Sequence, residues 1–114
     1  MDVKTAYLNA PIDCEIFMEQ LDGFEIPSNC EEVLVYKLNK SLYGLKQSGR
    51  NWNGMLHSCL LENSFLQSGV DNCVYVKQTE DKVIVIVIWV DDLTIGASND
   101  LLLQDTKNML QDKM

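Results

Sequence analysis

No apolar run in this sequence comes near the roughly 18 residues needed to cross a membrane. The longest, Val83 to Val90, has the length of a strand. Proline is scarce, at 2 residues, and glycine stands at 6, which argues against extensive disorder. There is one histidine, His57, and four cysteines, Cys14, Cys30, Cys59 and Cys73, none spaced as a CxxC pair. That argues against a structural zinc site and leaves free, mostly buried thiols as the expectation. Nothing at the N-terminus reads as a signal peptide, because Asp2 and Lys4 interrupt it and no apolar stretch follows. The expected setting is intracellular.

What is present suits one small domain: 114 residues, 46% of them hydrophobic. The formal net charge of -8 has the wrong sign for gripping phosphates, which is work for Lys and Arg. The charge is segregated, however. From Val33 to Leu61 there is no Asp or Glu, while Lys37, Lys40, Lys46 and Arg50 contribute +4, leaving -12 on the rest. A basic segment in an acidic chain fits nucleic-acid contact. On charge alone, chance clustering on a solvated surface explains it as well.

No internal repeat or low-complexity segment is visible. Asp2 to Leu8 reads as a strand running into a turn at Asn9-Ala10-Pro11. Ile16-Phe17-Met18 is a second short apolar run. Leu21 to Glu32 is loop-like, punctuated by Gly23, Pro27, Ser28 and Asn29, and Val33 to Leu38 alternates as a strand. Trp52, Met55, Leu56, Cys59 and Leu60 recur at i, i+3, i+4, i+7 and i+8, the stripe of a core-facing helix. Ser48 is its expected N-cap, and Asn63 and Ser64 its end.

Cys73 to Gln78 alternates as a strand, and Thr79 to Lys82 is a polar turn. Val83 to Val90 is β-branched almost throughout, which suits a strand buried on both faces. Leu93 to Ala97 reads as its hairpin partner, so Asp91 and Asp92 sit in the tight turn. Ser98 or Asn99 caps a last helix with Leu101, Leu102, Met109 and Leu110 as its apolar set, Leu103 and Lys107 being less well placed. The order implies an α+β domain with helices on one face of an antiparallel sheet.

Two features could carry chemistry. Asp91 and Asp92 repel each other at a hairpin tip; an ordinary polar turn explains them locally. A hard divalent cation would also favour such oxygen ligands. Asp2, opening another expected strand, could add a third carboxylate. The second feature is the loop from Ser41 to Trp52, with Gly44, Gly49, Lys46 and Arg50 leading into a helix. It could hold phosphates or a template strand, or be only a loop before a helix.

Several blocks together resemble copia-type retrotransposon reverse transcriptases. Met1-Asp2-Val3-Lys4-Thr5-Ala6-Tyr7-Leu8-Asn9 is similar to that family's opening motif. Glu15 to Gln20 with Gly23-Phe24 resembles the stretch that follows. Lys37 to Gln47, then Arg50 and Trp52, resembles its most recognisable block. Asp71, Cys73 and Tyr75 match a spaced D-x-C-x-Y, and Trp89-Val90-Asp91-Asp92 stands where the family carries Y-V-D-D. The matches run in family order across nearly the whole chain.

The resemblance implies the palm of a right-hand polymerase, truncated, with fingers, thumb and ribonuclease H parts outside residues 1–114. It implies RNA-directed DNA synthesis by Mg²⁺-dependent nucleotidyl transfer, with two Mg²⁺ held by Asp2, Asp91 and Asp92 as catalytic residues. Tyr7 would be the gate under the sugar that excludes a 2′-hydroxyl, with Ala6 beside it. Tyr43 and Gly44 would lie against the incoming nucleotide and template, and Lys46, with Arg50, on the phosphate side. The implied partners are template-primer, deoxynucleotides and the remainder of a Pol polyprotein, with no membrane, in a cytoplasmic particle or the nucleus. Ala10 replaces the family's usual Gly, Ser48-Gly49 its Ala-Pro, and Trp89 its Tyr. The isolated chain is expected to be inactive, lacking a grip on template-primer. A non-enzymatic remnant and a repurposed binding domain remain as alternatives.

Overall fold

Six consecutive β-branched residues, Val83 to Ile88, make the central strand of the fold, because such side chains pack well on a pleated surface. The computed structural model describes residues 1–27 and 33–114. Its elements are, in chain order, α1 (Ala6–Asn9), β1 (Phe17–Glu19), β2 (Val35–Lys37), α2 (Ser48–Glu62), β3 (Leu66–Gln67), β4 (Val74–Thr79), β5 (Lys82–Trp89), β6 (Asp92–Ala97) and α3 (Asp100–Lys113). This is an α+β arrangement. Four strands form one antiparallel sheet in the order β3-β4-β5-β6, and β1 and β2 form a separate antiparallel pair.

Both long helices cover one face of the sheet. Trp52, Leu56 and Leu60 from α2 and Leu110 from α3 are buried in one core with Ile84, Ile86 and Ile88 of β5 and Tyr75 of β4. The stripe on α2 is thus core, as its spacing indicates, with Met55 and Cys59 half-buried at its margins. The expectation for β5 needs correcting. Only its isoleucine face is buried; Val83, Val87 and Trp89 remain 39%, 37% and 76% exposed. A strand has two faces at period 2, and the two helices lie against only one of them.

Other boundaries also shift. The strand expected over Asp2 to Leu8 contracts to a single bridge at Asp2. Thr5 takes a φ of 55°, which ends the extended path, and the next four residues close into α1. The helix cap expected at Ser48 lies at Gln47, whose side chain makes no cap bond. Ser48 is instead buried inside the helix, its hydroxyl donating to the Leu42 carbonyl. Leu101 faces solvent at 73% exposure, while Thr106 takes a core place on α3; its hydroxyl donates to the Leu102 carbonyl at 2.7 Å, which makes burial tolerable. Cys14 and Cys73 are exposed and Cys59 is half-buried, so these thiols are free but not mostly buried. Cys30, Ser28 and Asn29 lie outside the described residues.

The cap at Asn99 is as expected. Its side-chain oxygen accepts from the Leu102 amide at 2.9 Å, satisfying one of the free donors of the first turn. Asn99→Ala is expected to lower stability by about 1 kcal/mol, read from the midpoint of urea unfolding. An unchanged midpoint would show that this bond contributes nothing to the fold.

The D-x-C-x-Y pattern also finds a structural account. The Asp71 carboxylate accepts from the Cys73 amide at 2.8 Å, closing the turn before β4. Tyr75 is fully buried, its hydroxyl 2.7 Å from His57 Nδ1 and 3.1 Å from the donating Gln67 amide. The β1–β2 pair stands away from this core. The molecule measures 67 × 27 × 19 Å with a radius of gyration of 18.7 Å, against about 13 Å for a compact chain of this length.

Candidate active site

The β5–β6 hairpin closes on Val90 and Asp91, because Trp89 is already paired with Asp92. The turn is therefore one residue earlier than expected, and Asp92 is the first residue of β6. Val90 has a φ of 57°, a left-handed conformation that costs a β-branched residue about 1–2 kcal/mol. A buried tryptophan holds it there. The Trp52 indole N–H donates to the Val90 carbonyl at 2.9 Å across 38 residues of sequence, while the ring is 1% exposed. Helix α2 thereby pins the hairpin tip from beneath. The helical stripe marks Trp52 as core, but nothing local to it points to Val90.

Residues 1–3 extend the sheet beyond β6. Leu93 N–H donates to the Met1 carbonyl at 2.8 Å, and Val3 N–H donates to the Asp91 carbonyl at 3.3 Å. The N-terminal amine donates to the Leu93 carbonyl at 2.5 Å. This register sets Asp2 directly opposite Asp92. Directly opposed residues project from the same face with their Cβ atoms about 4.5–5.5 Å apart, so Asp2, Asp92 and Trp89 share the face that the helices leave open. Asp2 and Asp92 are exposed and Asp91 is half-buried.

Among the described residues, no group of three or more His, Cys, Asp or Glu side chains is arranged to hold a metal ion. The donors at the tip are carboxylate oxygens alone, on a sheet stiffened from behind by Trp52. Mg²⁺ uses one or two carboxylates and leaves its other positions to waters and substrate phosphates. The carboxylates of Asp2, Asp91 and Asp92 are thus of the donor type that ion takes, one or two at a time, without being gathered into one three-ligand cluster.

Two tyrosines border the aspartates. Tyr7, on α1, and Tyr43 pack against each other at a tilt, with ring centroids 4.4 Å apart and the planes at 43°. The Tyr43 hydroxyl donates to Asp91 Oδ2 at 3.4 Å. Partial desolvation, then the Asp91 charge, raises the Tyr43 phenol above its ordinary pKa. Gly44, next in the chain, has a φ of 95°; a side chain there would be strained, so glycine permits the turn that presents Tyr43. Lys46 is exposed.

Two sequence-derived candidates change character. Ala6 is fully buried in the core and offers a ligand no side-chain surface. The basic segment is partly neutralised. Arg50 pairs with Asp13 and Lys37 with Glu15, and Lys40 donates to the Asn9 carbonyl at 3.1 Å. The Asn51 amide, against an opposing effect of desolvation and with help from the Arg50 guanidinium, holds the Asp13 carboxyl below its usual range. Arg50 is thus engaged by a carboxylate that lies 37 residues away in sequence.

Residues 1–114 match the family described as reverse transcriptase (RNA-dependent DNA polymerase). The chain is 40% identical over 111 residues to the retrovirus-related Pol polyprotein from transposon TNT 1-94 of Nicotiana tabacum, covering 96% of this chain and 8% of that protein. It is 32% identical over 113 residues to the Pol polyprotein from transposon RE2 of Arabidopsis thaliana, covering 99% and 8%. It is 33% identical over 110 residues to the putative transposon Ty5-1 protein of Saccharomyces cerevisiae, covering 96% and 35%. It therefore spans about 8% of the length of the first two relatives. No solved structure matches it. With the family matched from end to end, this chain belongs to the reverse transcriptase (RNA-dependent DNA polymerase) family, and it is similar to one segment of retrotransposon Pol polyproteins.

Proposed function

We propose that this chain is the palm of a right-hand polymerase and carries the reacting carboxylates for RNA-directed DNA synthesis. The observation that supports this most is the register placing Asp2 opposite Asp92, one residue from Asp91 at the hairpin tip. Residues 90 positions apart in sequence meet at one sheet end, on the face the helices do not cover. Asp2, Asp91 and Asp92 would hold the divalent cations. When bound, two Mg²⁺ supply a lowered pKa at the primer 3′-hydroxyl and neutralise charge on the triphosphate and leaving pyrophosphate.

The chain's other residues orient the substrate. Tyr7 underlies the sugar and excludes a 2′-hydroxyl, and Tyr43 with Gly44 lies along the nucleotide and template. Lys46, exposed and on the same loop, takes the phosphate side. The remainder of a Pol polyprotein supplies the grip on template-primer, in a cytoplasmic particle or the nucleus. No helix among the described residues is long and apolar enough to cross a membrane.

The test is a chimera in which residues 1–114 replace the corresponding segment of a complete retrotransposon polymerase. Deoxynucleotide incorporation on an RNA template is expected, and it should cease when a chelator removes divalent ions. A folded chimera that binds template-primer yet incorporates nothing would overturn the proposal.

A further inference from the structure

We infer that Tyr43 is a positioning residue for Asp91: packed at a tilt against Tyr7, its hydroxyl engages Oδ2 at 3.4 Å and so leaves Oδ1 for a divalent cation. This rests on the metal-binding reading proposed above. Three observations carry it. The contact with Tyr43 is the one side-chain hydrogen bond of Asp91 among the described residues, and neither Asp2 nor Asp92 makes any there. The Tyr43 ring does not swing freely, because it lies against Tyr7 at 4.4 Å. The backbone that presents it turns through Gly44 at a φ of 95°. A half-buried carboxylate on a turn can otherwise rotate among several orientations, and fixing one of its oxygens narrows them. A hydrogen bond behind a ligating carboxylate characteristically sustains metal affinity.

The arrangement also links two functions through one side chain. Tyr7 is the residue assigned to the sugar, and Asp91 the one assigned to the cation. Tyr43 touches both.

Mn²⁺ binding to the 114-residue chain, followed by electron paramagnetic resonance, tests this without relying on catalysis. Tyr43→Phe keeps the ring and its packing against Tyr7 and removes only the hydroxyl. Tyr43 is 55% exposed, so the fold is expected to stay unchanged by circular dichroism. The variant is expected to bind Mn²⁺ about tenfold more weakly. In an Asp91→Asn background, the same substitution should have no further effect, because its partner has lost its charge. If Tyr43→Phe binds like the unmutated chain while Asp91→Asn binds more weakly, the role of Tyr43 is overturned and the metal reading stands. A weakening that persists undiminished beside Asp91→Asn would show that the hydroxyl acts elsewhere, and would also overturn it. If the unmutated chain fails to bind Mn²⁺, or Asp91→Asn leaves binding unchanged, both readings fall.

Discussion

Asp91→Asn in the complete chimeric polymerase is expected to lower DNA synthesis by about a thousandfold or more, with little change in stability. Asparagine keeps the size and a carbonyl oxygen that can still accept from the Tyr43 hydroxyl. What it removes is the negative charge, and with it the attraction for a divalent cation. Asp91 is half-buried on a turn and forms no ion pair among the described residues. The stability cost should therefore stay within about 0.5 kcal/mol. The same substitution at Asp2 should be comparably severe, since Asp2 faces Asp92 across the sheet edge. Steady-state incorporation on a primed RNA template, beside a thermal unfolding curve, separates lost chemistry from lost fold. Synthesis within tenfold of the unmutated enzyme, with an unchanged curve, would remove Asp91 from the reaction.

Trp52→Ala is expected to destabilise the chain by about 3–5 kcal/mol, a large part of the stability of a domain this size. The indole is among the largest fully buried side chains of the core, and its loss leaves a cavity between α2 and the hairpin. A further cost is specific to this place. The Val90 carbonyl loses its donor while Val90 remains at a φ of 57°, so a strained turn loses the bond that holds it. Trp52→Phe separates the two effects. It retains most of the apolar volume and forfeits the hydrogen bond, at about 1–2 kcal/mol. In the chimera it should slow synthesis more than its stability loss explains, because the aspartates then sit on a loosened tip. Urea unfolding of the chain and incorporation by the chimera check both parts. Equal stability of Trp52→Phe and the unmutated chain, with equal synthesis, would show that the indole N–H does not support the hairpin.

Local pattern carried α2, β4, β5 and β6 into view. The five apolar residues from Trp52 to Leu60 recur at helical spacing, and the run from Val83 to Ile88 permits hardly anything except a strand. The aspartate pair was visible as a hairpin tip for the same reason, although the turn itself falls on Val90 and Asp91. Where expectation and structure part, local pattern was being asked about its surroundings. A both-faces-apolar strand reads as doubly buried, yet helices lie against only the isoleucine face of β5. Arg50 and Lys37 read as part of a basic segment, yet Asp13 and Glu15, from another part of the chain, meet them. Thr5 carries no local sign that it will take a φ of 55° and end the first extended segment.

By itself, the sequence determined the α+β class, the core face of the main helix, the hairpin with its two acids, and the family. These depend on periodicity and on motifs read within a few residues of one another. Only the tertiary structure decided that Asp2 faces Asp92, that Trp52 holds Val90, and that Tyr43 reaches both Tyr7 and Asp91. Those contacts join residues 36 to 90 positions apart. Their register is set by which side chains the whole core can bury together, a property that no short stretch of the chain contains.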